Sequence, residues 1–288
     1  MGLMRLTHGG YPETIRNGLL MISQNYFTFP FYVPRVCRLW RNWPEYLANY
    51  VFRRTARAEY LTRDGIRLID ARGSMAGTIA VVFIRREYGT VERFRTMVDI
   101  GANVGIFAVY AAQSNPRAKI YCYEPERLNF DSLRLNIDIN GLDDRVAAFP
   151  CAVASDTRGR ELAITESLSN SFHMVPSGSR TQTVACTTLG QILDQHDLKQ
   201  VDLLKLNCEG SEYEILEECP DADLARVSNI RLEYHNLDGA NRNGEALSKL
   251  LVARGYTIER FTRYLTTSGF IWASRLLFAV LLDTPLCD

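Results

Sequence analysis

From residue 96 to residue 253, short apolar runs alternate with stretches of helical pattern, and this alternation constrains the fold more than any other feature. Each run has the length and the β-branched and aromatic content of a buried strand. Because helices separate the strands, right-handed crossovers are expected, and these predict a doubly wound, mostly parallel sheet of the α/β class. The predicted strands are TMVDI (96–100), KIYCYE (119–124), RVAAFPCAV (145–153), VDLLKLN (201–207) and SNIRLEYH (228–235).

The segments on either side of this alternation predict antiparallel pairs. Asp64 and Gly65 form a turn signal inside EYLTRDGIRLIDAR (59–72), which predicts a hairpin. Near the other end, a predicted helix stops at Gly255. The runs YTIERFTR and SGFIWASRL follow it and predict an antiparallel pair at the C-terminal edge of the sheet.

Composition excludes several classes of protein. The chain has 288 residues, of which 47% are hydrophobic and 23% charged, as in globular proteins with a substantial core. The formal net charge is zero, so no nucleic-acid partner is expected. The seven cysteines are scattered and form no CxxC pair, which indicates reduced residues in a cytoplasmic protein. No apolar run reaches the roughly 18 residues of a membrane span, so no transmembrane segment is expected.

Residues 1–58 differ from the remainder and are assigned to an N-terminal extension, with the main domain at 59–288. The first 60 residues hold 12 of the 30 aromatic residues and eight arginines, but only three acids. One interpretation is a helical cap that packs on the main domain. The other is a segment for substrate recognition or peripheral membrane contact, because arginine with tryptophan and tyrosine suits anionic head groups. Nothing in the sequence indicates the oligomeric state.

A glycine-rich turn, VDIGANVGIF, follows the first strand of the alternation. Gly101, Asn103 and Gly105 would let a ligand approach the backbone closely, and the following helix offers free N–H groups. The pattern lacks the third glycine of the dinucleotide fingerprint. Asp99 at the strand end would repel a pyrophosphate but would suit a cationic ammonium. The turn, which includes Ala102, therefore predicts a site for a ligand such as S-adenosylmethionine (SAM).

The second and third strands end in residues that extend the same site. Glu124 in YCYEP lies 19 residues after Gly105, at the spacing where an acid accepts both hydroxyls of a ribose. Pro125 follows directly. The third strand leaves through FPCAVASD, in which Cys151 and Ala152 are candidates to line an adenine slot, with a core role as the alternative. We therefore predict that SAM, and its product S-adenosylhomocysteine (SAH), bind across these strand ends.

Six motifs together resemble the FkbM-type SAM-dependent methyltransferases. They are VDIGANVGIF, YCYEPERLNFDSLRLNIDING, AVASDTRGRELAI, TTLGQIL, VDLLKLNCEGSEYEIL and IRLEYHN, in the family's order and spacing over about residues 75–275. The resemblance implies a class I methyltransferase fold, which is Rossmann-like and carries an antiparallel C-terminal strand. It also implies O-methylation of a hydroxyl on a sugar, a glycan or a polyketide-type natural product.

One motif departs from the family pattern. The fourth-strand motif usually reads K-hydrophobic-D-hydrophobic-E-G, and here Asn207 stands at the Asp position while Lys205, Glu209 and Gly210 remain. An asparagine can orient a group through its amide but cannot act as a general base near neutral pH. Three interpretations stay open. Asn207 only positions SAM or the acceptor, the base is another residue such as His235 or Glu209, or the chain is a catalytically impaired SAM-binding scaffold in a biosynthetic complex.

The candidate catalytic residues lie at the ends of the fourth and fifth strands. His235 is the expected base, because its unperturbed pKa lies near neutrality, with a hydrogen-bonded structural histidine as the alternative. Glu233 alternates with His235 along the strand and is expected on the same face, while Asn207 and Glu209 follow the fourth strand. A divalent metal at these ends is considered but not favoured, since no ligand spacing here is diagnostic, and no metal ligand is assigned.

Two further expectations complete the sequence-based account. The serine-rich segment 164–178 is a candidate loop over the pocket, with a plain surface loop as the alternative. A nicotinamide-dependent oxidoreductase on a similar sheet is the rival enzyme class, and the missing third glycine together with Asp99 argues against it. The expected partner is a small-molecule or glycan hydroxyl acceptor.

Overall fold

A computed structural model describes residues 30–52, 57–71, 73, 75–164, 180–237, 241–264 and 268–275. The first 29 residues of the predicted extension, and the candidate pocket loop from residue 165 onwards, lie outside these ranges. Across the described ranges, no helix is long and apolar enough to span a membrane.

The helices and strands follow the predicted alternation closely. After a helical stretch at 30–39, the helices are α1 (Trp43–Phe52), α2 (Met75–Ile79, continued by a π-helical turn over Ala80–Ile84), α3 (Ile106–Ser114), α4 (Arg127–Asp138), α5 (Leu189–Gln195), α6 (Glu212–Glu217), α7 (Asp221–Leu224) and α8 (Gly244–Ala253). The strands are β1 (Ala58–Leu61), β2 (Arg67–Asp70), β3 (Thr96–Ile100), β4 (Lys119–Tyr123), β5 (Val146–Phe149), β6 (Ala152–Val153), β7 (Arg160–Ile164), β8 (Arg180–Val184), β9 (Cys186–Thr187), β10 (Leu203–Leu206), β11 (Asn229–His235), β12 (Thr257–Tyr264) and β13 (Ser268–Ser274).

A seven-stranded sheet with the order β12-β13-β11-β10-β3-β4-β5 forms the centre of the molecule. The five strands from β11 to β5 are parallel, whereas β13 runs antiparallel to both β11 and β12. The strand order reverses between β3 and β10, and parallel sheets bind ligands beyond the carboxyl ends of the strands at such a point. The predicted fold class is therefore confirmed: a doubly wound, mostly parallel sheet of the class I methyltransferase type, with an antiparallel C-terminal strand.

The predicted hairpin and the predicted exit of the third strand both agree with the structure. The hairpin predicted over 59–72 is confirmed, since β1 and β2 pair antiparallel around the Asp64–Gly65 turn. The third strand and its exit, predicted over 145–153, are also observed, since β5 ends at Phe149 and the chain leaves the central sheet at Pro150. Its continuation, β6, pairs with β9 instead. A proline has no N–H group to donate to a sheet, which accounts for the break at this position.

Apolar side chains cover both faces of the sheet. Met97 belongs to one buried cluster and its neighbour Val98 to the other, because successive strand residues point to opposite faces. Trp40, which follows the helical stretch at 30–39, and Tyr46 of α1 are also fully buried in the first cluster, with their ring centroids 5.8 Å apart. These aromatic residues of the predicted extension pack into the core. The boundary at residue 58, and any role in recognition, stay predictions.

Candidate functional site

The glycine-rich turn after β3 is pressed against the end of β10. The backbone N–H groups of Gly101 and Ala102 both donate to the carbonyl of Tyr123, at 3.0 and 3.1 Å. Gly101 has φ +72°, and a Cβ at this position would lie 1.8 Å from the backbone carbonyl oxygen of Asn207. Only glycine fits such an approach, so this residue sets how closely the turn lies over the sheet.

The second half of the turn leads into α3. Gly105 precedes the helix with φ +86°, and a Cβ there would meet a methyl group of Leu133 at 2.7 Å. Asn103 has φ +52°, which is uncommon for a residue other than glycine. This conformation directs its backbone N–H to the Glu124 carboxylate at 2.8 Å. The turn after β3 and the end of β4 are therefore joined by a hydrogen bond.

Glu124 is held with its carboxylate beside the turn and is only 5% exposed. One oxygen accepts from Asn103 N, and the other accepts from the backbone N–H of Glu126 at 3.0 Å. Burial raises the pKa of Glu124 to about 7, although these two hydrogen bonds act in the opposite direction. Glu126 caps α4 by accepting from two backbone N–H groups of its first turn. The local sequence thus fixes the Glu124 carboxylate beside the glycine-rich turn, and its contact with a ribose stays a prediction.

Of the other residues predicted at the adenosine end of the cofactor, Pro125 and Cys151 lie near Glu124, whereas Ala152 belongs to a separate buried cluster. The backbone N–H of Glu124 donates to the carbonyl of Phe149 at 3.1 Å, which brings the exits of β4 and β5 together. Pro125 follows at this edge, and Cys151 is partly buried there. Ala152 is almost completely buried in a small cluster formed with the strands β7 to β9. The structure therefore gives Ala152 a core position, and its predicted contact with adenine stays a prediction.

Asp99 lies beneath the turn and is fully buried. Its nearest cation is Lys205 of the neighbouring strand, whose Nζ is 2.8 Å from Asp99 Oδ1. The same amine donates to the carbonyl of Gly101 at 2.8 Å. Burial raises the pKa of Asp99, and the charge of Lys205 opposes this shift. The observed role of Asp99 is to pair with the lysine that holds the turn, whereas its contact with a ligand ammonium group stays a prediction.

Asn207 connects the glycine-rich turn with the end of β11. Its side-chain amide donates to Glu233 Oε2 at 2.9 Å. Its Oδ1 is buried and has no hydrogen-bond partner among the described residues. Burial is the main effect on Glu233 and raises its pKa to about 7. The structure therefore brings together two of the predicted catalytic residues in direct contact.

His235 lies between two carboxylates. Its Nδ1 is 3.2 Å from Glu212, and its Nε2 is 3.5 Å from Glu209. Burial lowers the pKa of His235, but the hydrogen bond and charge of Glu212, with the charges of Glu209 and Glu233, raise it to about 9. A raised pKa favours the protonated imidazole at neutral pH and argues against His235 as the base, whose catalytic role stays a prediction.

Glu212, for which the sequence predicts no role, organises the loop after β10. Glu212 is fully buried and accepts from the backbone N–H groups of Cys208 and Gly210, at 3.0 and 2.7 Å. Its position in the first turn of α6 was a signal, since acids there interact with free N–H groups.

Within the described part of the chain, no three His, Cys, Asp or Glu side chains form a group that could hold a metal ion.

Comparison with known proteins agrees with this geometry. The family model described as the Methyltransferase FkbM domain matches residues 99–258, which is more than half of the chain. The chain belongs to the FkbM methyltransferase family. The match begins at Asp99 and covers every strand end of the candidate site, so the resemblance carried by the sequence motifs is confirmed.

Two relatives of this FkbM-family chain are named methyltransferases. "Methyltransferase sdnD" of Sordaria araneosa is 26% identical over 195 residues, covering 57% of this chain and 74% of the relative. "31-O-demethyl-FK506 methyltransferase FkbM" of Streptomyces tacrolimicus is 25% identical over 191 residues, covering 56% and 72%. Among solved structures, M. capricolum TrmK in complex with SAH has 12% identity and a TM-score of 0.44, with 67% of each chain covered.

Proposed function

We propose that this methyltransferase uses SAM to methylate a hydroxyl oxygen of a small-molecule or glycan acceptor, of the sugar or polyketide type. The family assignment supports methyl transfer. The name of the Streptomyces tacrolimicus relative, a 31-O-demethyl-FK506 methyltransferase, supports oxygen as the target atom. We propose the cytoplasm as the location of this activity. The neutral formal charge gives no support to a nucleic-acid substrate.

The residues after β3 and β4 fit the proposed cofactor. Gly101, Ala102, Asn103 and Gly105 form a turn whose backbone a ligand can approach closely, at the N-terminus of α3. Glu124 supplies a fixed carboxylate for a pair of ribose hydroxyls. These contacts support SAM binding across this edge, with Asp99, Pro125, Cys151, Ala152 and Asn207 as the remaining proposed neighbours of the cofactor.

The residues after β10 and β11 are proposed to receive the acceptor. Bound SAM supplies an electrophilic methyl group, so correct alignment of the acceptor oxygen provides much of the rate acceleration. Asn207, Glu209, Glu233 and His235 meet at these strand ends through direct contacts. An ordered set of this kind supports an active enzyme more than the alternative of a catalytically impaired scaffold.

The observation that carries the proposal is the Glu124 carboxylate, which two backbone N–H groups hold beside the turn. We expect Glu124→Gln to weaken SAM binding about 10-fold to 100-fold, the cost of stranding a buried polar group. Calorimetric titration of SAM measures this change. The matched control is Glu126→Gln, because Glu126 serves the first turn of α4 and should leave the affinity within about twofold. Equal affinities in all three proteins would exclude this cofactor site.

The acceptor class requires a separate experiment. Radiolabelled methyl groups from SAM would be followed into a panel of methyl glycosides, macrolactone alcohols and matched amines. Transfer to the alcohols alone supports O-methylation, and transfer to the amines alone overturns it. The variant Asn207→Asp tests the scaffold alternative, since that alternative predicts activity only after the acid is restored.

A further inference from the structure

One face of the sheet carries a row of polar side chains that leads to the proposed acceptor site. Asp99, Lys205 and Arg231 lie in register across β3, β10 and β11. Asn207 and Glu233 are each two residues further along their chains, so they continue the row on the same face. The row ends at the carboxyl edge of the sheet, where ligands bind in folds of this kind.

Asn207 lies between the cofactor turn and Glu233. Its backbone carbonyl packs against Gly101, and its side-chain amide donates to Glu233 Oε2 at 2.9 Å. Its own Oδ1 is buried without a partner among the described residues, which costs free energy unless a ligand donates to it. The amide is thus held by Glu233 and by a side-chain hydrogen bond with the buried Tyr88, and its oxygen has no partner among the described residues.

Charged and titratable groups from several elements face Glu233. They are Tyr88 from the loop after α2, Lys205 from β10, Glu209 and Glu212 from the loop and helix that follow β10, and His235 from β11, the strand that also carries Glu233. Burial raises the pKa of Glu233 to about 7. His235 and Lys205 act against this shift, whereas Glu209 and Glu212 add to it. A carboxylate in these surroundings exchanges its proton near neutral pH.

His235 does not compete for this role. Its two ring nitrogens face Glu212 and Glu209, and its pKa of about 9 keeps the ring protonated. The imidazolium instead places a positive charge next to the three carboxylates. His235 is therefore a positioning residue that stabilises the ionised form of Glu233.

Resting on the proposed function, we propose that Glu233 accepts the proton of the acceptor hydroxyl, with the Asn207 amide oxygen orienting the reacting groups. In this step the acceptor oxygen bonds to the methyl carbon, the bond between that carbon and sulfur breaks, and sulfur keeps its electron pair. The hydroxyl proton passes to a carboxylate oxygen of Glu233 and then to solvent. The ionised Glu233 carboxylate also stabilises bound SAM, whose sulfur is positive, more than bound SAH, whose sulfur is neutral.

The test compares proton release when SAM and SAH bind the full chain at pH 7. Calorimetric titrations in buffers of different ionisation enthalpy measure the number of protons that each ligand releases on binding. Glu124 contacts the ribose that both ligands share, so its contribution cancels in the difference. With a pKa of about 7, roughly half of the Glu233 groups are protonated, so SAM should release up to about half a proton more than SAH. This difference should vanish in Glu233→Gln and persist in the control Glu217→Gln, whose side chain is exposed.

Two results would overturn the proposal: equal proton release by SAM and SAH in the wild type, or an unchanged difference in Glu233→Gln. A third measurement needs no variant. The wild-type affinity for SAM relative to SAH should rise about tenfold as the pH increases through 7, the change that one unit of pKa shift produces. A constant ratio contradicts the role of Glu233. Absence of binding by either ligand would instead refute the proposed cofactor, which is a distinguishable outcome.

Discussion

The two halves of the candidate site are built from different interactions. The cofactor edge, comprising the turn from Gly101 to Gly105 together with Glu124, is held mainly by backbone hydrogen bonds and by glycine conformations. The acceptor edge, comprising Asn207, Glu209, Glu233 and His235, is held by contacts between charged and polar side chains. Backbone geometry gives the first edge a fixed shape, whereas the second edge depends on which side chains are ionised.

Lys205 joins the two edges. It lies on β10, directly before the acceptor edge, yet its amine contacts Asp99 and the Gly101 carbonyl of the cofactor edge. The rings of Tyr88 and Phe107 lie about 6 Å from this amine and exclude water from it. Substitution of Lys205 should therefore affect both edges, whereas substitution of a residue that contacts only one edge should affect that edge alone.

The largest effect is expected for Lys205→Met. This substitution leaves the fully buried Asp99 without its cation, so the free energy of unfolding at pH 7 should fall by about 3–5 kcal/mol. Denaturant unfolding measures the loss. The double variant Lys205→Met with Asp99→Leu should recover most of the stability, because an apolar pair has no charge to desolvate. If the double variant is as unstable as the single one, the ion pair is not the cause.

Gly101→Ala, a substitution in the cofactor edge, should lower the free energy of unfolding by about 3 kcal/mol. It should also abolish measurable SAM binding. The added methyl group would overlap the Asn207 carbonyl, and the left-handed conformation adds strain. Unfolding and calorimetry report the two effects. Gly77→Ala is the control, because a Cβ there meets nothing within 4 Å. That variant should be slightly more stable than the wild type, since alanine favours a helix.

The pH dependence of SAH binding should isolate Glu124. Hydrogen bonds from a ribose favour the ionised carboxylate, and burial raises the pKa of Glu124 in the free protein to about 7. The affinity for SAH should therefore reach its maximum above pH 7 and should fall as the pH decreases below 7, by up to tenfold per pH unit. Calorimetry between pH 5.5 and 8 measures the slope. The Glu124→Gln variant should show a flat profile, and a sloping one would assign the titration to another group.

The smallest effect concerns the backbone of the acceptor edge. Glu209 has φ +53°, a conformation that glycine adopts more easily than other residues. The variant Glu209→Gly should therefore be about 1 kcal/mol more stable than Glu209→Ala, although both lack the carboxylate. Thermal unfolding of the two variants gives the difference. Equal stabilities would show that the strain at this residue is released elsewhere in the loop.

Much of the cofactor edge was predictable from local sequence. The glycines at 101 and 105 and the acid at 124 follow consecutive strands, so their meeting at one edge follows from the topology of a parallel sheet. The confirmed hairpin around Asp64 rests on an equally local signal. The exit of the third strand at Pro150 was predictable in the same way, because a proline has no N–H group to donate to a sheet.

The acceptor edge was less predictable, because ionisation depends on residues that are distant in the chain. His235 is 23 residues from Glu212, and Asn207 is 26 residues from Glu233. The sequence by itself determined the succession of strands and helices along the chain, the position of the glycine-rich turn and the family, since each depends on neighbouring residues and on the period of apolar side chains. Only the tertiary structure decided that His235 lies between two carboxylates and that Glu233 is buried, and these surroundings raise the pKa of both groups because burial and charge act through space.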